Sequence, residues 1–192
     1  LEDHFNTLIN GYIENKVGVA EFFIPDILAT QLRKHLLDLQ SLNELQSAGT
    51  GNQKIALQDK SIRGDLIYWL DRKHNNFSEN AFLDLIDQFI LHLNRTCYTG
   101  ITGYEFHYAL YPAGSFYIKH KDQFRDTAQR QYTMIFYLNE DWISKDGGQL
   151  CIHHYAHTEN IDPLSGRCVF FKSSELEHEV LLAHKARMSI TG

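Results

Sequence analysis

Two periodicities divide the chain. In its first half apolar residues recur every three or four positions: Phe5, Leu8, Ile9, Tyr12 and Ile13, then Leu28, Leu32, Leu36 and Leu39 after Pro25, then Phe82, Leu85, Ile86, Phe89 and Leu93. Such stripes predict three amphipathic helices whose apolar faces are core. Pro25 suits the first turn of the second helix, Ser78 is the expected cap of the third, and Gly100 the expected end of it. From Tyr104 onward the period shortens to two. YEFHYALY, SFYIKH, YTMIFYLN, GGQLCIHH, GRCVFF, HEVLL and ARMSITG are short, rich in β-branched and aromatic residues, and separated by turn signals. Asp146-Gly147-Gly148 and Ser165-Gly166 supply the positive φ that tight connections require. Helices followed by seven close-set strands predict an α+β fold, a double-stranded β-helix (jelly-roll) core braced by N-terminal helices. One domain over residues 1–192 is expected, with 1–100 mainly helical support and 101–192 the jelly-roll core; three prolines and no low-complexity tract mark no boundary.

Composition narrows the setting. At 192 residues and 43% hydrophobic content, the chain buries a core without staples. Cys97, Cys151 and Cys168 lie in apolar stretches and are expected to be reduced and mostly buried, as in a cytoplasmic protein. No apolar run approaches the roughly 20 residues that span a bilayer, and the opening LEDHFNTLINGYIENK is too acidic and interrupted for a secretory signal, so no membrane partner is expected. A net charge of -6 argues against broad nucleic-acid binding, which rests on Lys and Arg neutralising phosphates. Gly-rich phosphate loops and a Gly-x-Ser-x-Gly elbow are absent, which sets nucleotide-driven chemistry aside.

The candidate chemistry starts in YIKHKDQFRD, Tyr117 to Asp126. Alternation puts Tyr117 and Lys119 on one face, Ile118 and His120 on the other, and Asp122 on the face of His120. A histidine beside a carboxylate at a strand end is a surface ion pair, half of a metal site, or half of a catalytic dyad. Among eleven histidines, His178 is best placed to complete a metal site, at the start of a strand after the polar turn KSSELE. Two imidazoles and one carboxylate leave three positions open on a metal such as non-haem Fe(II), whereas zinc usually takes four-coordinate sets richer in His or Cys. Arg187 shares a strand face with Ser189, and an inward-facing arginine in an apolar strand needs an anion. A dicarboxylate cosubstrate would supply one, with its keto-acid end on the metal and its far carboxylate on the guanidinium. His153, His154 and His157 look like a second metal cluster, but strand-end and loop positions predict solvent exposure and no ligand role. Asp126 competes with Asp122 from a polar loop with the weaker geometric claim. Lys121, Arg125 and Arg130 are either a solvated charge run or a grip on a protein substrate.

Together these residues resemble the Fe(II)- and 2-oxoglutarate-dependent oxygenases of prolyl 4-hydroxylase type, in particular the intracellular hypoxia-sensing prolyl hydroxylases and their bacterial relatives. IRGDLIYWL, Ile62 to Leu70, is similar to that family's Ile-Arg-Gly-Asp block. YPAGSFYIKHKD resembles its Tyr-Pro-Gly run into His-x-Asp, one residue shorter here. IFYLNEDWISKDGGQL resembles its Tyr-Leu-Asn-x-Asp-Trp strand and double-glycine turn, and HEV with RMSIT its distal histidine and arginine strand. The likeness covers most of residues 20–191.

The resemblance implies that His120, Asp122 and His178 are the iron ligands. It implies that Arg187 and the Tyr137 hydroxyl bind the distal carboxylate of 2-oxoglutarate, that Tyr111 lines the cosubstrate pocket, and that Ser189 and Thr191 support it. Tyr111 and Tyr137 read equally as core aromatics with polar tips. Arg63 and Asp65, in a substrate-side loop near 61–70, either orient a polypeptide or form a salt bridge that fixes the loop. Implied with these are O2 as second cosubstrate, ascorbate as reductant, release of succinate and CO2, and 4-hydroxylation of a prolyl residue in a protein. A translation factor or ribosomal protein would suit a bacterial relative. The alternatives are an oxygenase acting on another peptidyl residue or a free amino acid, and a jelly-roll binding module without turnover; a complete set of three ligands and the arginine favours catalysis. The chain ends at Gly192, directly after the arginine-bearing segment, where family members often continue with an aromatic segment, a departure that leaves truncation of the C-terminus open.

Overall fold

Helix α1 (Glu2–Asn15) turns straight into strand β1 (Val17–Ala20) in the structure, a computed structural model that describes residues 1–49, 62–122 and 130–192. Lys16, with a left-handed φ of 67°, makes that turn, and its N–H caps the helix on the Tyr12 carbonyl. Helix and strand lie so close that a side chain at Gly18 would meet the Leu8 carbonyl oxygen at 2.0 Å, so only glycine fits. Phe5, Leu8 and Ile9 are buried, whereas Ile13 is 65% exposed. It lies about 140° around the helix from Leu8, beyond the edge of the apolar stripe.

Helix α2 (Asp26–Ser41) buries Ala29, Leu32, Leu36 and Leu39 and starts one residue after Pro25, which is its cap and not a first-turn residue. Two short strands follow, β2 (Gln46–Ser47) and β3 (Leu66–Trp69), and then α3 (Phe77–Thr96). Asn76, not Ser78, caps α3: its Oδ1 accepts from the backbone N–H of Ser78 at 2.9 Å and Glu79 at 3.0 Å, while Ser78 already lies inside the first turn. The helix stops at Thr96, short of Gly100, because Asn94 folds the chain back, its Oδ1 accepting from Thr99 Oγ1 at 2.7 Å and Ile101 N at 2.8 Å.

The jelly roll is built from β4 (His107–Tyr111), β5 (Tyr117–His120), β6 (Tyr132–Tyr137), β7 (Leu150–His153), β8 (Thr158–Ile161), β9 (Cys168–Lys172), β10 (Glu177–Val180) and β11 (Arg187–Thr191). All pairings are antiparallel, in a large sheet ordered β1-β9-β6-β11-β4-β3-β2 and a small one ordered β5-β10-β7-β8. All seven expected C-terminal strands form. The strand that periodicity misses there is β8, whose sequence TENI lies at the small sheet's edge and has little apolar content. Strands β1, β2 and β3 also went unforeseen, and they widen the large sheet at both edges.

Alternation gives the large sheet two unlike faces. Tyr108, Leu110, Met134, Phe136, Phe170, Met188 and Ile190 pack against the helices in one cluster, with Phe82 edge-to-face on Phe136 at 5.0 Å. Each such buried apolar side chain contributes about 1.5–3 kcal/mol. Ile135, Tyr137, Val169 and Phe171 face the other way and pack with Leu150, Ile152 and Ile161 of the small sheet. Cys151 and Cys168 are buried and unpaired, but Cys97 is exposed, because it follows the last turn of α3 where the stripe has left the core. Among the described residues no helix is long and apolar enough to cross a membrane.

Candidate active site

Three side chains converge between the sheets. His120 on β5 and His178 on β10 are partners in register, and Asp122 follows directly after β5. Asp122 Oδ1 lies 3.4 Å from His120 Nε2 and Oδ2 lies 3.5 Å from His178 Nε2, while the imidazole centroids are 4.4 Å apart. The three donor atoms fall within 4.8 Å of one another. His120 Nδ1 donates to the Ile118 carbonyl at 2.7 Å and His178 Nδ1 to the Leu176 carbonyl at 3.4 Å, which turns both Nε2 atoms toward the shared centre.

Strict alternation fails at one point. Tyr117, expected on the face opposite His120, stacks on its ring at 3.6 Å. The pairing runs His178↔His120 but Val180↔Tyr117, so β5 carries one extra residue. That bulge brings Tyr117 and His120 to one side.

Residues that period alone did not single out hold Asp122. Thr133 Oγ1 donates to its Oδ2 at 2.8 Å and is 2.8 Å from Ser173 Oγ. With its own proton given to Asp122, Thr133 accepts from Ser173. Arg130 Nη1 stands 3.9 Å from Oδ1, so Arg130 is drawn to this carboxylate and is not part of a solvated run, whereas Lys121 is exposed. Burial pushes the Asp122 carboxyl up, but the adjoining His120 and His178 and the charge of Arg130 outweigh it and hold it well below the usual carboxylate range. The readable signal for Thr133 was its parity with Ile135 and Tyr137. Asp126 and Arg125 lie outside the described residues.

Arg187 occupies the same interior at 1% exposure. Its Nε donates to the Gly148 carbonyl at 2.8 Å and Nη1 to Ser189 Oγ at 3.4 Å, and the guanidinium lies 5.0 Å from the ring centres of both Tyr111 and Tyr137. No carboxylate among the described residues pairs with it, and the fully buried Tyr137 hydroxyl lacks a hydrogen-bond partner there. Burial pushes the Tyr137 and Tyr111 phenols up, with the Arg187 charge pulling both back. Gly148 has φ 64°, and a Cβ there would meet Arg187 Cδ at 3.0 Å, so the double-glycine turn clears room for the guanidinium. Thr191 ends β11 opposite His107, partly exposed. Arg63 and Asp65 form a two-point ion pair, Nε–Oδ1 2.7 Å and Nη2–Oδ2 2.5 Å, and the guanidinium lies 4.4 Å from the ring centre of Tyr117. They fasten the segment before β3 to β5 beside the His120–Asp122–His178 group.

The donor set, two imidazoles and one carboxylate, suits Fe(II). A buried, anion-lacking guanidinium beside an unsatisfied phenol suits a carboxylate. The three histidines His153, His154 and His157 do not converge: His154 pairs with Glu159 at 3.1 Å and stacks on His157 at 4.6 Å, while His153 turns to Glu179.

Residues 106–192 match the 2OG-Fe(II) oxygenase superfamily. Human (Homo sapiens) Egl nine homolog 1 is 33% identical over 192 residues, covering 92% of this chain and 43% of that protein; the chain thus spans less than half of that relative's length. A Pseudomonas putida prolyl-4-hydroxylase superposes with a TM-score of 0.87 at 31% identity, over 97% of this chain and 96% of that one. A Trichoplax adhaerens prolyl hydroxylase, solved with a hypoxia inducible factor oxygen degradation domain peptide fragment, gives 0.86 at 29% identity, over 99% and 88%. The chain belongs to the 2OG-Fe(II) oxygenase superfamily and, within it, to the prolyl hydroxylase type.

Proposed function

We propose that the chain is a 2-oxoglutarate-dependent dioxygenase that hydroxylates a prolyl residue of a protein substrate at C4. The observation that carries this reading is the buried, anion-lacking Arg187 in the same interior as the His120–Asp122–His178 triad. Iron, 2-oxoglutarate and O2 would together supply the oxidising chemistry, with release of succinate and CO2. The protein's part is to hold and orient. His120, Asp122 and His178 take the iron, with both Nε2 atoms aimed by their Nδ1–H bonds and Asp122 steadied by Thr133. Arg187 and the Tyr137 hydroxyl take the distal carboxylate, Ser189 steadies the guanidinium, Tyr111 walls the pocket and Thr191 stands at its rim. The Arg63–Asp65 pair fixes the segment against which the polypeptide docks. Ascorbate serves as reductant between turnovers, and the substrate is a protein with an exposed proline, such as a translation factor or ribosomal protein.

The test incubates the chain with Fe(II), 2-oxoglutarate, ascorbate and O2 and a panel of proline-containing peptides drawn from such proteins, reading succinate and peptide mass. A gain of one oxygen on proline, lost in His178→Ala, is expected. Succinate accompanied by oxidation of another residue or of a free amino acid would instead favour the wider family reading, and no succinate at all the binding-module reading.

A further inference from the structure

The solvent-facing side of the small sheet carries a second convergence of metal-binding side chains. Cys151 and His153 project from the face of β7 opposite Leu150 and Ile152, and Glu179 on β10 is in register with Cys151. Cys151 Sγ lies 3.8 Å from His153 Nε2, His153 Nε2 lies 2.9 Å from Glu179 Oε1, and the three donor atoms fall within 4.8 Å of one another. Backbone pairing sets this spacing. A tetrahedral cation with bonds of about 2.0–2.3 Å separates its ligands by roughly 3.3–3.8 Å, so the His–Glu contact need open only slightly.

We propose that Cys151, His153 and Glu179 form a second divalent-cation site of the zinc class, which clips β10 to β7. Thiolate, imidazole and carboxylate are the donors zinc takes, and water would fill the fourth position. On binding, the Cys151 thiol releases its proton to solvent, His153 offers the Nε2 lone pair and Glu179 its carboxylate; nothing is oxidised or reduced. Cys151 itself is buried, but the side chains of His153 and Glu179 are 25% and 29% exposed, so solvent reaches the site from their side. The neighbouring charges are otherwise engaged: Glu177 pairs with Lys119 at 3.6 Å and His154 with Glu159 at 3.1 Å. His178 and Glu179 are consecutive residues on opposite faces of β10, so a cation on the outer face would steady the strand that supplies an inner ligand.

Titrating the metal-free chain with Co2+ under anaerobic conditions tests this. The expected result is a near-ultraviolet thiolate-to-cobalt band that is complete by two equivalents, one for each site, and is displaced by Zn2+. It is absent in Cys151→Ser, strongly weakened in His153→Gln, and kept in Cys97→Ser and in His178→Ala, whose inner site contains no sulfur. Zinc stoichiometry falls from two in the wild type to one in Cys151→Ser. No band in folded wild-type protein, a band that survives Cys151→Ser, or one lost in Cys97→Ser would overturn the proposal.

Discussion

The two faces of the large sheet share strands, register and burial, yet they differ in kind. On β11, Met188 and Ile190 meet the helices while Arg187 and Ser189 face the small sheet; on β6, Met134 and Phe136 contrast in the same way with Thr133 and Tyr137. The outer face is a mostly apolar layer, interrupted at Tyr108, whose buried hydroxyl also lacks a hydrogen-bond partner among the described residues, and by the buried Glu79, held by His35 and His74. The inner face keeps a guanidinium without an anion and a phenol without a hydrogen-bond partner among the described residues. Burial of that sort costs free energy unless a ligand completes it. One residue of shift along a strand therefore separates the positions packed against the helices from those that face the candidate site.

The sharpest way to break this contrast is to truncate each face in turn. Phe136→Ala should cost about 3–5 kcal/mol and lower Tm by roughly 10 °C in a thermal melt. His178→Ala should abolish succinate formation while Tm stays near that of the wild type. Arg187→Met comes next: it should raise KM for 2-oxoglutarate by about 100-fold, the loss of a charge-assisted bidentate contact, while the ligand-free protein melts no lower, because a buried charge has been removed. Thr133→Val should weaken metal binding by about 10–100-fold through a loosened Asp122, with succinate formation restored at high Fe(II).

Smallest at neutral pH is the effect of His107. Burial first, and then the charge of Arg130, lowers its pKa to about 4. Below its ordinary value of 6.5 the unfolded chain takes up a proton that the folded chain refuses until about pH 4, so stability falls as pH drops through that window and is unaffected above it. The loss should reach about 1 kcal/mol by pH 5.5, and urea melts of His107→Leu should lack it.

Both faces were legible where they followed the period of two. Helical stripes and seven strands could be placed from spacing, whereas His120, Asp122, His178 and Arg187 were singled out by spacing but given their roles by the family resemblance. What escaped depends on register between distant segments. TENI lies at the edge of the small sheet and carries little apolar content, so no alternation marks it. Likewise Thr133 gains its meaning only when β6 passes beside Asp122. The bulge that stacks Tyr117 on His120 is a mismatch between two strands and leaves no mark in either sequence alone. At the helix ends, Asn76 rather than Ser78 is the cap because the helix starts at Phe77, two residues earlier than a Ser78 cap would place it.

Loading the metal-free protein with Fe(II) under anaerobic conditions and titrating with 2-oxoglutarate tests the inner face most directly. The account requires a weak visible charge-transfer band that saturates near one equivalent in the wild type, needs far more 2-oxoglutarate in Arg187→Met, and is missing in His178→Ala. A band that Arg187→Met leaves unchanged, or none in folded wild-type protein, would contradict it.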